Sequence, residues 1–321
     1  MSDGWTLIRN LRQLLSESTT ATWPDVRTSY DFLYQAAIKT ADRLTLGVTT
    51  QTITTVADQA NYALDADFLR LYLTNEQGNY FIKYTDASAN VYFIYMDSYD
   101  SIILANNTTS VAVPWTFTIR EKAPATQIAG AATATAATFT HGYTIFGQSL
   151  GEATLTYATG GFTAYVNVGD IVHNTTDGSH GLVIASSLDT AVLCALFDGT
   201  NNYFTNADAF VINPQARFEL YLDPPPLTAA ETITVYYVQK PAPVYSAYRR
   251  YNLLSGHTDA LVAYAAWLYK YRDREPNMGD PFYKIWDEAT RNLYRTVKNV
   301  KREKGYRVNL NVKANRSYSY R

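Results

Sequence analysis

The alternation of apolar and polar positions divides the chain into helical ends and a β middle. From Trp5 to about Ser16, the residues Leu7, Ile8, Leu11, Leu14 and Leu15 recur at helical spacing and predict a short amphipathic helix. Trp23-Pro24 opens a second helix with Pro24 at its first position, and Val26, Tyr30, Leu33, Ala37, Ala41 and Leu44 form its stripe. Near the other end, Thr258-Asp259 caps a helix running to about Arg274, with Leu261, Tyr264, Ala265, Leu268 and Tyr271 on one face. Glu275-Pro276-Asn277-Met278-Gly279 then reads as a corner that cannot continue a helix. Asp280-Pro281 starts another helix, whose apolar face is Phe282, Ile285, Trp286, Ala289, Leu293, Val297 and Val300, and Gly305 suits its stop. Helices at the front and the back predict a four-helix core assembled from both ends of the chain.

Between them the period falls to two. Strands are expected over Thr50–Ala57, Phe68–Thr74, Tyr80–Tyr84, Val91–Met96, Ser101–Leu104 and Val113–Arg120, with Asn75–Gly78 as a hairpin turn and 61–67 as an irregular link. From Ala123 to about residue 214 the composition shifts to Ala, Thr, Gly and Asn. Short β runs there (Tyr143–Phe146, Ala153–Tyr157, Thr163–Val168, Gly181–Ala185, Ala191–Phe197, Ala209–Ile212) have the spacing of a small barrel or sandwich. Arg217–Leu222 and Thr232–Val238 resume the earlier character, separated by Asp223-Pro224-Pro225-Pro226. The expected fold class is α+β. It has a helical bundle built from both chain ends with a β part (1–122 and 215–304), an inserted all-β barrel- or sandwich-like domain (123–214) and an extended C-terminal arm (305–321).

Charge sharpens the view of that arm. From Arg295 to Arg321 there are nine basic residues and one acid, Glu303, a net of +8; the chain as a whole is −2, so the other 294 residues carry −10. Tyr, Val and Leu alternate with polar residues over 306–312, as in a strand. An acidic body with a basic, Tyr-bearing end predicts an arm that docks on an acidic partner or on nucleic acid. The candidate docking residues are Lys301, Arg302, Lys304, Tyr306, Arg307, Val308, Leu310, Lys313, Arg316, Tyr318, Tyr320 and Arg321. The 27 tyrosines, at only 17% charged residues, point to assembly, because Tyr is favoured at protein interfaces. The one cysteine, Cys194, lies in an apolar run and predicts an inert buried thiol. The N-terminal residues lack signal-peptide architecture and no apolar run reaches membrane-spanning length, so folding in a cytoplasm, away from membrane, is expected.

The constellations tested for chemistry fail on context. Gly147-Gln148-Ser149-Leu150-Gly151 matches the nucleophile-elbow pattern, but that turn must lead from a strand into a helix, and Glu152–Thr159 alternates as a strand. A Gly-bounded β turn is the preferred reading. His173 and His180 flank Asp177 without the spacing or cysteines of a zinc site, and read as surface turn residues. Asp198–Asn202 lacks the closing carboxylate of a calcium loop. No phosphate-binding Gly loop occurs. The expectation is therefore no enzyme, no metal and no cofactor.

Taken in order, the pieces resemble the head-to-tail adaptor (connector, head-completion) proteins of tailed bacteriophages. The likeness rests on Ser29–Ala37, on Ile53–Val56 followed by 62–71 (Tyr-Ala-Leu-Asp-Ala-Asp-Phe-Leu-Arg-Leu), on Leu222-Asp223-Pro224-Pro225-Pro226, on Ile233–Lys240 with Pro241-Ala242-Pro243, and on His257–Val262. Residues 123–214 fall outside it, although 169–202 look like small β modules inserted in phage structural proteins. The resemblance implies a structural protein of the virion neck that forms a ring, commonly of twelve copies, between portal and tail. The ring extends the DNA channel and offers a platform to tail or nozzle proteins. Its partners would be further copies of itself, the portal protein, tail proteins and genomic DNA passing without sequence-specific contact, and its C-terminal extension would reach the portal. Two alternatives differ in class: a virion-associated cell-wall hydrolase or glycan-binding protein acting through the inserted domain, and a DNA-binding protein acting through the basic end.

Overall fold

In a computed structural model of the protein, the residues described are 3–16, 25–105, 109–133, 140–145, 148–251, 257–273 and 275–294. Two helices open the chain. α1 (Gly4–Leu14) is capped by the Asp3 carboxylate, which accepts from Thr6 N at 2.8 Å. α2 (Val26–Leu44) is capped by Asp25 through Thr28 N, so it starts after Pro24 rather than at it. It ends in a left-handed residue, Thr45.

The next strands build an eight-stranded sheet. β1 (Val48–Thr54), β2 (Asn61–Ala63), β3 (Phe68–Leu71), β4 (Phe81–Thr85), β5 (Val91–Met96) and β6 (Thr116–Lys122) come from the front of the chain. β14 (Arg217–Asp223) and β15 (Thr232–Gln239) join them from beyond residue 214. The order is β1-β15-β4-β5-β6-β14-β2, with β3 also pairing β15. This sheet curls until its ends nearly meet. Gln51 Nε2 donates to Ala63 O at 3.1 Å, and Asp65 N donates to Gln51 Oε1 at 3.1 Å. Curling gives every strand an inside. Ile233, Val235 and Tyr237 of β15 point inward with Ile82, Tyr84, Ile94, Phe117, Leu220 and Leu222, and form one cluster.

The second sheet has seven strands: β7 (Ile128–Ala131), β8 (Thr140–Ile145), β9 (Gln148–Thr156), β10 (Ile171–Asn174), β11 (His180–Leu188), β12 (Ala191–Phe197) and β13 (Ala209–Asn213). Their order is β7-β13-β10-β11-β12-β9-β8. At Gly181 a Cβ would lie 1.7 Å from Ala195 O, so only glycine lets β11 approach β12 this closely. One face of the sheet packs Val172, Val183, Cys194, Phe210 and Ile212 into a cluster of its own. The other face contributes Leu150, Ile184, Ala195 and Phe197 to a cluster shared with the helices.

That shared cluster includes residues from the early helices and from the helices after residue 257. α5 (Thr258–Arg272) and a final helix, α6 (276–294), supply Leu261, Tyr264, Ala265, Tyr269 and Trp286; α1 and α2 supply Leu7, Ile8, Leu11, Tyr30 and Leu33. The fold is thus mixed α/β with two sheets, one of them nearly closed.

Several local expectations are corrected. Residues 101–104 belong to a helix, α3 (Tyr99–Ala105), because Ser98 caps it by accepting from Ser101 N at 3.2 Å. Residues 162–165 form α4 (Phe162–Tyr165) rather than a strand, since Gly160 and Gly161 both take positive φ and Asp189 holds the first turn. The irregular link contains β2, and β7 and β10 are strands that the pattern does not show. β6 starts at Thr116 rather than at Val113, after Pro114. α5 starts at Thr258 behind His257 as its cap residue. Its burial is almost all-round from Ala260 to Ala266, while Tyr271 is exposed. The corner between the last helices is shorter than expected. Glu275 O accepts from Met278 N and Gly279 N, so Pro276 takes the first helical position and Pro281 lies in the second turn. Leu14 and Ile285 point out of their expected apolar faces. Val297, Val300, Gly305 and the whole arm 305–321 lie outside the described residues.

Candidate interaction surface

α6 is the element that leads into the arm, and its seat is built from aromatic side chains. Trp286 stacks near Tyr264 (ring centroids 4.8 Å apart) and Tyr283 (5.3 Å), and Trp267 lies 5.2 Å from Tyr283. Arg43 of α2 sits 4.7 Å over the Trp286 ring, and Trp286 Nε1 donates to Thr40 Oγ1 at 3.1 Å. Asp287 receives Arg43 on one oxygen and Arg291 on the other, the second at 2.8 Å; these guanidinium groups hold its carboxyl below the usual carboxylate range. Gly279 permits the crossing, because a Cβ there would lie 3.1 Å from Lys270 Cβ and 3.3 Å from Trp267 Cδ1. The inner face of α6 is therefore fixed, while Met278, Tyr283, Ile285 and Tyr294 remain exposed. Ile285 also borders a groove of about 450 Å³ with Leu14, Asp259 and Val262.

A charged contact joins α2 to the second sheet. Arg27 Nη1 donates to His180 Nε2 and, at 3.0 Å, to Asp198 Oδ2. Burial and the Arg27 charge push the His180 imidazole below its ordinary value, with Asp198 opposing them. His173 and His180 are cross-strand partners on β10 and β11, their rings 5.8 Å apart, and not turn residues. Asp177 is in the turn, where its carboxylate accepts from Asn201 N and Asn202 N. It organises a loop. Among the described residues, no three His, Cys, Asp or Glu side chains gather as a metal-binding group. Ser149 lies on β9, which pairs with β8 (Ile145 opposite Gln148) and continues as a strand to Thr156, so no helix follows it. Cys194 is fully buried, and burial pushes its thiol far up.

A second exposed surface was missed by the sequence pattern. β5 reads Val-Tyr-Phe-Ile-Tyr-Met, an unbroken apolar run of the kind expected in a doubly buried strand. Only Ile94 is buried; Val91 and Phe93 are each 52% exposed, and Tyr92, Tyr95 and Met96 are exposed as well. Phe81 of β4 packs edge-on against Phe93 with centroids 5.3 Å apart, and Trp115 stands 63% exposed just before β6. Such a patch marks an interaction site more often than a bare surface. A second concavity, of about 520 Å³, lies where the two sheets approach, lined by Tyr34, Asp65, Asp67, Asn167, Lys240 and Pro243.

The candidate docking residues from Lys301 to Arg321 lie outside the described residues. No helix among the described residues is long and apolar enough to cross a membrane. No protein-family model matches this chain, and no curated protein is similar to it.

Proposed function

We propose that this protein is a structural component of a tailed-phage neck: a ring-forming adaptor that sits between portal and tail, extends the DNA channel and gives tail proteins a platform. In this reading the helices from the two chain ends act as the adaptor's bundle, residues 123–214 are an inserted β domain, and the protein is not an enzyme. The observation that carries the reading is the sharp change of charge beyond α6, where a firmly seated helix is followed by 27 residues of net +8. An anchored helix followed by a basic, Tyr-bearing segment suits docking on an acidic partner. The order of adaptor-like stretches along the sequence supports the same reading. So does the rest of the chain at −10, since a net negative conduit would not grip passing DNA. The exposed aromatics of β5 and α6 supply the apolar part that a ring contact needs.

Deleting 305–321 tests the docking arm. The truncated protein is expected to keep its circular-dichroism spectrum and unfolding midpoint, yet to lose binding to the portal ring in co-sedimentation. Undiminished portal binding by the truncation would remove the arm from the account.

A further inference from the structure

The edge of β5 is unusual within its sheet. In its antiparallel pairing with β4, Met96 N donates to Tyr80 O and Asp86 N to Asn90 O, so the even-numbered residues of β5 face β4. The backbone groups of Val91 and Phe93 therefore face the other way, toward β6. β6 pairs with β5 only at Tyr95 and Met96, in parallel. Two residues before the paired Thr116 stands Pro114, which has no N–H to offer a ladder. Among the described residues, no strand pairs Val91–Ile94 on that side. An open edge whose side chains are also exposed and apolar is a template for an added strand.

The sequence contains a segment suited to it. Residues 306–312 alternate, with Tyr306, Val308, Leu310 and Val312 on one face and Arg307, Asn309 and Asn311 on the other. Seven residues match the six of β5 in length. Arg307 and Lys304 would meet Asp97 and Asp100, the exposed acids that follow β5. The 11 residues from 295 to 305 span at most about 40 Å when extended. A folded chain of this length has a radius of gyration of about 20 Å, so a connection of that length is long enough to reach an adjacent molecule. α6 sits in the helix cluster and β5 in the eight-stranded sheet's cluster, and no residue is common to the two.

We propose that residues 306–312 of one copy add as a strand to the open edge of β5 on an adjacent copy, the apolar face of the segment covering Val91, Phe93 and Phe81. The proposal rests on the ring reading for its adjacent copy. It leaves Lys313 to Arg321 to continue toward the acidic partner.

The test uses two full-length variants, Phe93→Cys and Leu310→Cys, mixed under mild oxidation and run on a non-reducing gel, with light scattering on the same samples alone and with portal rings added. Cys194 is fully buried and does not compete. The expected result is a covalent dimer at least tenfold more abundant than from Leu188→Cys mixed with Leu310→Cys, Leu188 being as exposed but on the other sheet. Adding Asn309→Pro to the Leu310→Cys chain is expected to remove that excess, because proline cannot donate to the ladder. Equal yields from Phe93→Cys and Leu188→Cys overturn the proposal. So does a disulfide formed only within one chain in the double variant. An assembled mass without the Phe93–Leu310 cross-link sinks the strand contact alone, whereas a one-copy mass in every sample sinks the ring reading with it.

Discussion

His180 shows how one side chain ties local chemistry to stability. Burial and the neighbouring Arg27 charge hold its imidazole below the ordinary value of 6.5, although Asp198 pulls the other way. The folded protein therefore takes up a proton at this site less readily than the unfolded chain. The stability linked to the site is complete above the unfolded value and is lost as pH falls through it toward the lower folded one. Between about pH 7 and about pH 5.5, the urea midpoint of the protein should fall more than that of His180→Gln, which has no such group to charge. Parallel pH profiles for the two proteins would show that the Arg27–His180–Asp198 contact does not act this way. The same residue marks a limit of sequence reading. His173 and His180 look like turn residues because Gly, Thr and Asp surround them. Only the β10–β11 register, which pairs them across two strands, reveals their setting.

At the scale of elements, α6 depends on one side chain more than on its helical pattern. Trp286 is 5% exposed, sits within the aromatic group formed by Tyr264, Trp267 and Tyr283, and hydrogen-bonds across to α2. Trp286→Ala should cost about 3–5 kcal/mol in denaturant unfolding, because it empties a large buried volume and leaves Thr40 without that donor. A loss below about 1 kcal/mol would mean that α6 contributes little to the helix cluster. The elements whose pattern is unambiguous were legible from sequence. Val91–Met96 and Ala191–Phe197 match their strands residue for residue, and Val26, Tyr30, Leu33, Ala37 and Ala41 are the buried stripe of α2. The misread elements share a cause. α3 and α4 are short and carry apolar or β-branched runs, and what makes them helical is a cap from outside the run: Ser98 in one case, the Gly160-Gly161 pair with Asp189 in the other. β5 was located correctly but its exposure was not legible. A six-residue apolar run reads as buried, and only the pairing on its two sides shows that one edge is open.

At the scale of the whole molecule, the apolar and charged surfaces are asymmetrically distributed. The two sheets and the helix layer bury three clusters, and β5 and the last two helices of the described residues each present a group of exposed large apolar side chains. The positive charge is concentrated beyond them in sequence. Under the proposed function, the apolar surface serves neighbouring copies and the basic end an acidic partner. Net charge and alternation in the arm were readable without a structure, because they need no tertiary context. The proposed acceptor edge on β5 was not, since its openness is created by strand order alone.

The most direct test of the central claim is the solution mass of the full-length protein by light scattering, alone and then with a portal ring. For a ring adaptor, the expected result is a mass of many copies on the portal, together with a mass per complex that falls back to the portal alone when 305–321 are removed. A single-copy mass that the portal leaves unchanged would contradict it.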